Sequence, residues 1–162
     1  MLGEIILEGL LLGALLVGFC ALGIRRGAVN MVFLYHGDVQ ERCIQNGLIT
    51  REQINGNRLL FKGLGIPLYF AFVLVSVYVV NGARGFLPGF WQSFAILSVV
   101  NLIDRLGIDA WWVGHTKAWV IPGTEDLRPY IDRRDKLGKW LIGTVGFAIL
   151  SAILAGIMAL VL

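Results

Sequence analysis

The residues best suited to chemistry gather between Asn101 and Pro129, in the stretch NLIDRLGIDAWWVGHTKAWVIPGTEDLRP. Within 26 residues this stretch places Asn101, Asp104, Arg105, Asp109, His115, Lys117, Glu125 and Asp126, in a chain that is only 15% charged. Anchoring in a membrane requires neither an asparagine nor an aspartate inside an apolar segment. A histidine and a carboxylate together can act as general acid and base. Asp104, Asp109 and His115 are therefore the candidate catalytic groups. Either aspartate would be the base or a metal-facing carboxylate, and His115 the second acid–base group. Arg105 and Lys117 are candidates for holding an anion. Trp111 and Trp112 are candidates for the wall of an amphiphile-binding groove. Asn101, Glu125 and Asp126 complete this candidate ligand-binding set, and His36 joins it from an earlier segment, with Asp38 and Glu41 nearby.

The same donor types can hold a divalent metal. No HExxH, HxxxH or ExxH spacing occurs, so no metal ligand is assigned and no cofactor is identified. Each candidate also has a plainer reading. Arg105 and Asp109 are four residues apart and can pair on one helix. Asp104 can pair with Arg105 of a neighbouring subunit or cap a backbone, since charges inside a membrane generally find partners. Trp111, Trp112, Trp119 and Trp140 fit an aromatic belt at a membrane interface. His115, between Gly114 and Thr116, fits a surface loop. Thr124 fits an N-cap for a helix over EDLRPYI, with Pro129 early in it.

What must position these groups is a set of apolar segments. The 162 residues are 57% hydrophobic, with a mean hydropathy of +0.74. Soluble domains carry roughly a quarter charged residues. This chain has too little polar surface to coat a water-soluble globule. Its net charge of +3 could suggest nucleic acid, but no basic or aromatic nucleic-acid motif is present, so none is expected as a partner. Cys20 and Cys43 are far apart and form no CxxC, which argues against thiol-redox chemistry and a zinc ribbon.

Four runs are long enough to cross a bilayer, which takes about 20 apolar residues as a helix. They cover about 5–24, 63–81, 89–108 and 140–162. The first has no Lys or Arg before it and Arg25 and Arg26 after it, the charge order of a retained helix rather than a cleaved leader. Pro67 falls in the first turns of the second run or kinks it. Trp91 and Phe90 suit outer-interface anchors of the third. Ser93, Ser98, Asn101 and Asp104 share one side of that third helix, a stripe that should face the bundle interior. Glu8 reads as an end-of-helix carboxylate reaching water, or as a coupling carboxylate.

Two long polar connections, 25–62 and 109–139, join these runs. In the first, Met31–Tyr35 is a short apolar segment, Asp38 suits an N-cap for a helix over VQERCIQN, and Gly47 its stop. Thr50 with Gln53 is a capping-box signature for a helix feeding the second span, although Asn55, Gly56 and Asn57 challenge its continuity. The stretches Arg25–Lys62 and Arg105–Lys139 hold six and seven of the 14 Lys and Arg, and the turn between spans two and three only Arg84. The positive-inside rule then puts both connections in the cytoplasm and both termini outside. The fold class expected is all-α: one integral membrane four-helix bundle over 1–162, up-down-up-down, with short interfacial helices in the two cytoplasmic connections.

Three functions fit. The first is a small membrane-embedded enzyme or binding protein at the cell membrane, taking a lipid-like or amphiphilic ligand from the lipid bilayer at a cytoplasm-facing polar site. The second is a subunit of an oligomeric transporter or channel. It would form a homo-oligomer through the small-residue faces of the first and fourth spans (Gly9, Gly13, Gly18; Gly143, Gly146, Ser151, Gly156), with Glu8 and Asp104 as pathway carboxylates. The third is a non-catalytic assembly partner that docks through its connections.

Overall fold

A computed structural model describes residues 2–162. Every regular element in them is helical. The elements are α1 (Leu2–Ile24), α2 (Gly37–Gln45), α3 (Arg51–Val80), α4 (Phe86–His115) and α5 (Arg133–Val161). α1, α3, α4 and α5 have 23 to 30 residues and are apolar enough to cross a membrane. Between 17% and 39% of the most apolar window in each is buried within the chain. The rest, including Leu10, Leu60, Ile142 and Ile153, points outward. Apolar surface of that extent calls for an apolar solvent, so the chain has the build of a multi-pass membrane protein.

The helices outrun their apolar runs. α3 starts at Arg51, well before Gly63, because a capping box opens it. The Gln53 amide donates to Thr50 Oγ1 at 3.2 Å, and the Thr50 amide donates to Gln53 Oε1 at 2.9 Å. The helix then continues unbroken through Asn55, Gly56 and Asn57. Pro67 therefore lies in its interior and not in its first turns. Val75–Val80 closes α3 as a π-helix. α4 does not end at Ile108. It runs to His115 through a ten-residue π-helical stretch, Ile103–Trp112, so Asp109, Trp111, Trp112 and His115 are helix residues. α5 opens on a second capping box, Asp132 with Asp135, and the RRDK run is its first turn. The Asp135 amide donates to Asp132 Oδ1 at 2.8 Å and holds that carboxyl below its usual range.

In the first connection a 3-10 helix covers Ala28–Leu34. α2 then begins at Gly37 with His36 in the cap position, so Asp38 is not the N-cap; its carboxylate accepts from the Val39 amide at 2.8 Å. Gly47 ends α2 as expected, at φ +69°. Its amide donates to Ile44 O at 2.9 Å and the Leu48 amide to Cys43 O at 3.0 Å, the paired bonds that finish a helix on a left-handed residue. In the second connection the helix expected over EDLRPYI is one 3-10 turn, Glu125–Leu127. A residue before proline is pushed out of the α region, and Arg128 is extended at φ −76°, ψ 145°. Thr124 does not cap that turn; its hydroxyl donates back to Ile121 O at 2.9 Å.

Two cores result. One joins both connections to the ends of α1 and α4, around Tyr35, Val39, Cys43, Trp119, Ile121 and Tyr130. Trp119 is fully buried there, so it is not part of an exposed belt, while Trp111 is 65% exposed. The reason is that a cap made of short turns has few large groups to fill its centre, and an indole supplies more apolar area than any other side chain. Polar bonds stitch the same cap. Tyr35 Oη donates to Trp119 O at 3.1 Å, Arg42 pairs with Asp126 at 3.3 Å, Asn46 Nδ2 donates to Gly123 O at 3.3 Å, and His36 pairs with Asp135. Both long connections thus meet at one end of the helices.

The second core lies between the helices, with α4 packed on both α1 and α5. Ser93 and Asn101 face inward, as the polar stripe requires. Glu8 is buried and accepts from Asn81 Nδ2 at 3.0 Å instead of reaching water. Gly9 and Gly13 receive Val99 and Ile103 of α4, so these glycines serve packing within the chain; Gly18, Gly146 and Gly156 face open space. A Cβ at Gly9 would sit 2.6 Å from Val99 Cβ and 3.2 Å from the Ile96 carbonyl oxygen. Gly9→Ala is expected to destabilise the protein by about 1–3 kcal/mol, the usual cost of overpacking. Thermal unfolding in mild detergent measures it, and an unchanged midpoint would contradict this α1–α4 contact.

Candidate functional site

The second half of α4 carries the charged groups out of its apolar part. Arg105 stands at the centre. Its Nη1 donates to Asp109 Oδ2 and its Nη2 to Asp104 Oδ2, while its Nε is buried without a partner among the described residues. The expected Arg105–Asp109 pair therefore forms within one helix, and Asp104 joins the same guanidinium. All three sit in the π-helical stretch. Such wide turns are rare and recur at functional sites.

Asp109 is buried among protein atoms yet lines a cavity of about 420 Å³. Gly114, Glu125, Arg128 and Tyr130 form the other walls. Arg128 Nη2 donates to Gly114 O at 3.2 Å, and Glu125 Oε2 accepts from the Gly123 amide at 2.8 Å. The cavity thus carries two carboxylates and a guanidinium. Behind it, Tyr130 stacks on Tyr35 with ring centroids 4.6 Å apart. Tyr130 Oη lies 2.8 Å from Thr124 Oγ1 and accepts from the Ile121 amide at 3.2 Å. Burial, reinforced by Tyr130 and Asp109, pushes the Tyr35 phenol well above its usual range, so it stays a neutral donor. Burial also raises the Cys43 thiol, which fits a packing role.

A second cavity, about 250 Å³ and apolar, opens between α1, α3, α4 and α5. Leu16, Phe70, Leu97, Phe147 and Leu150 line it with Tyr69, whose buried hydroxyl has no hydrogen-bond partner among the described residues. Leu97 lies about two turns before Asp104 on α4.

The other candidates are placed apart from this cluster or are already engaged. Asn101 Nδ2 donates to Thr144 Oγ1 at 3.2 Å and lies against Gly143, which ties α4 to α5. His115 is exposed, and its ring lies 2.9 Å from Ala110 O. Trp111 and Lys117 point outward. Trp112 packs edge-on against Trp119 at 5.2 Å. Asp126 and His36 are held by Arg42 and Asp135, and Glu41 by Arg51. Among the described residues no three His, Cys, Asp or Glu side chains are grouped to hold a metal ion. Reading the chain alone missed Arg128 and Tyr130. The available signal was Pro129, which forces Arg128 to extend and breaks the expected helix.

Compared with known proteins, the chain matches no family model, no curated protein and no solved structure.

Proposed function

We propose that this is a four-span membrane protein, up-down-up-down, with both termini outside and both long connections in the cytoplasm, that holds the polar part of a lipid-like or amphiphilic ligand beside Asp109. The observation that carries this reading is the Asp104–Arg105–Asp109 cluster, with Asp109 opening onto a cavity shared with Glu125 and Arg128. An ion cluster within a membrane helix is costly and is a functional-site hypothesis in its own right. Asp109 lines the cavity, which suits its carboxylate to accept a hydrogen bond from a ligand donor. Arg128 would face an anionic portion. The apolar cavity beside Leu97 offers room for a hydrocarbon portion. The site is compatible with acid–base chemistry or with binding alone. His115 keeps a place only as an auxiliary group, since its ring is held at Ala110 O and it is not part of the cavity wall.

The test is native mass spectrometry of protein extracted gently with its lipids. Wild type is expected to retain one amphiphile that Asp109→Asn loses while remaining folded, because Arg105 keeps Asp104. A bare wild type, or an equally loaded variant, would overturn the reading. Orientation is checked separately with a reporter fused after Leu162. It should report the outside, and a cytoplasmic signal would reverse the arrangement.

A further inference from the structure

A third cavity, about 480 Å³, lies between the end of α1, the Ala28–Leu34 turn and the first half of α3. Its character changes along its length. Leu22, Leu60 and Leu64 form one side and are 68%, 63% and 56% exposed, facing outward. Arg25 and Arg26 form the other end, beside Asn30 and Asn57. Arg42, Arg51 and Arg105 are each neutralised by an aspartate or glutamate. Arg25 and Arg26 have no acidic partner among the described residues. Two adjacent, unneutralised guanidiniums over a wall of outward leucines match the two parts of an anionic lipid. Guanidinium forks suit phosphate oxygens, and basic residues at a membrane surface attract anionic headgroups. This cavity shares no residue with the one beside Asp109, so it goes beyond the function proposed above.

We propose that this groove between α1 and α3 is a binding site for one anionic phospholipid, its phosphate on Arg25 and Arg26 and an acyl chain against Leu22, Leu60 and Leu64. The chain side adjoins Phe19 and Phe61, which also wall the apolar cavity deeper between the helices. The lipid therefore fills the seam where α3 leaves α1.

The test uses the full chain in detergent, titrated with phosphatidylglycerol or phosphatidylcholine of the same acyl chains, and read by native mass spectrometry and thermal unfolding. One phosphatidylglycerol should bind per chain with a preference on the order of tenfold, the effect of two basic side chains beside an anionic head, and should raise the unfolding midpoint. Arg25→Gln/Arg26→Gln should abolish the preference. Arg133→Gln/Arg134→Gln, at another set of basic residues, should retain it. Equal binding of the two lipids, or equal loss in both variants, would overturn the site in favour of a diffuse basic surface. An equal midpoint shift with inorganic phosphate would overturn the acyl part. If the first variant does not fold, the wild-type comparison of the two lipids decides the matter alone.

Discussion

Arg105→Ala is expected to destabilise the protein by about 3–5 kcal/mol, the usual cost of removing one partner from a buried ion cluster. The side chains of Arg105, Asp104 and Asp109 are 17%, 27% and 9% exposed, so water screens them little. Without the guanidinium, two carboxylates would face each other in a low-dielectric setting. Arg105→Lys should recover only part of the loss, because one ammonium cannot supply the two-pronged contact to both aspartates. Adding Asp104→Asn and Asp109→Asn to Arg105→Ala should restore much of the stability, since a neutral trio carries no uncompensated charge. Unfolding midpoints and yield in mild detergent measure all three. A stable Arg105→Ala protein would show that the aspartates are solvated and that the cluster is not a site.

Trp119→Ala carries the other large effect, about 3–5 kcal/mol for removing a fully buried indole. Trp119 is 0% exposed and touches Tyr35 and Trp112 through its ring edges. Its loss opens a hole where the two connections meet, so the damage should be local at first. Limited proteolysis within residues 116–131 is expected to quicken while the four long helices retain their circular dichroism. Trp119→Phe should fall between wild type and alanine. Unchanged proteolysis would mean that the connections are held by their polar bonds alone.

The parts of this architecture legible beforehand are those governed by neighbours in the chain. Four apolar runs mark four helices. Thr50 with Gln53 opens one, Gly47 closes another, and Arg105 finds Asp109 one turn away. Helix ends were harder, because hydropathy drops where polar side chains begin, whereas backbone hydrogen bonding continues. That is why α4 carries Asp109 and His115 past the expected end at Ile108. Trp119 was misread because tryptophan suits both a water–lipid boundary and a packed interior, and only contacts distant in sequence decide between them. Of the candidate site, the three charges of α4 were legible and do meet. Glu125 joins Asp109 across a cavity that local pattern cannot reveal. His36, Asn101 and Asp126 were plausible by type but are committed to partners elsewhere in the chain.

The separation into two cores has a thermodynamic consequence. In the proposed membrane setting, the cluster around Trp119, Tyr35 and Tyr130 sits in the watery cap, and opening it exposes apolar surface to water, with the positive heat-capacity change that accompanies such exposure. The cluster around Leu12, Ile96 and Leu154 lies between spans, where lipid tails are as apolar as the side chains and no comparable solvent penalty applies. One polypeptide then answers to two solvents: urea and cold act on its polar cap, and bilayer composition on its helices.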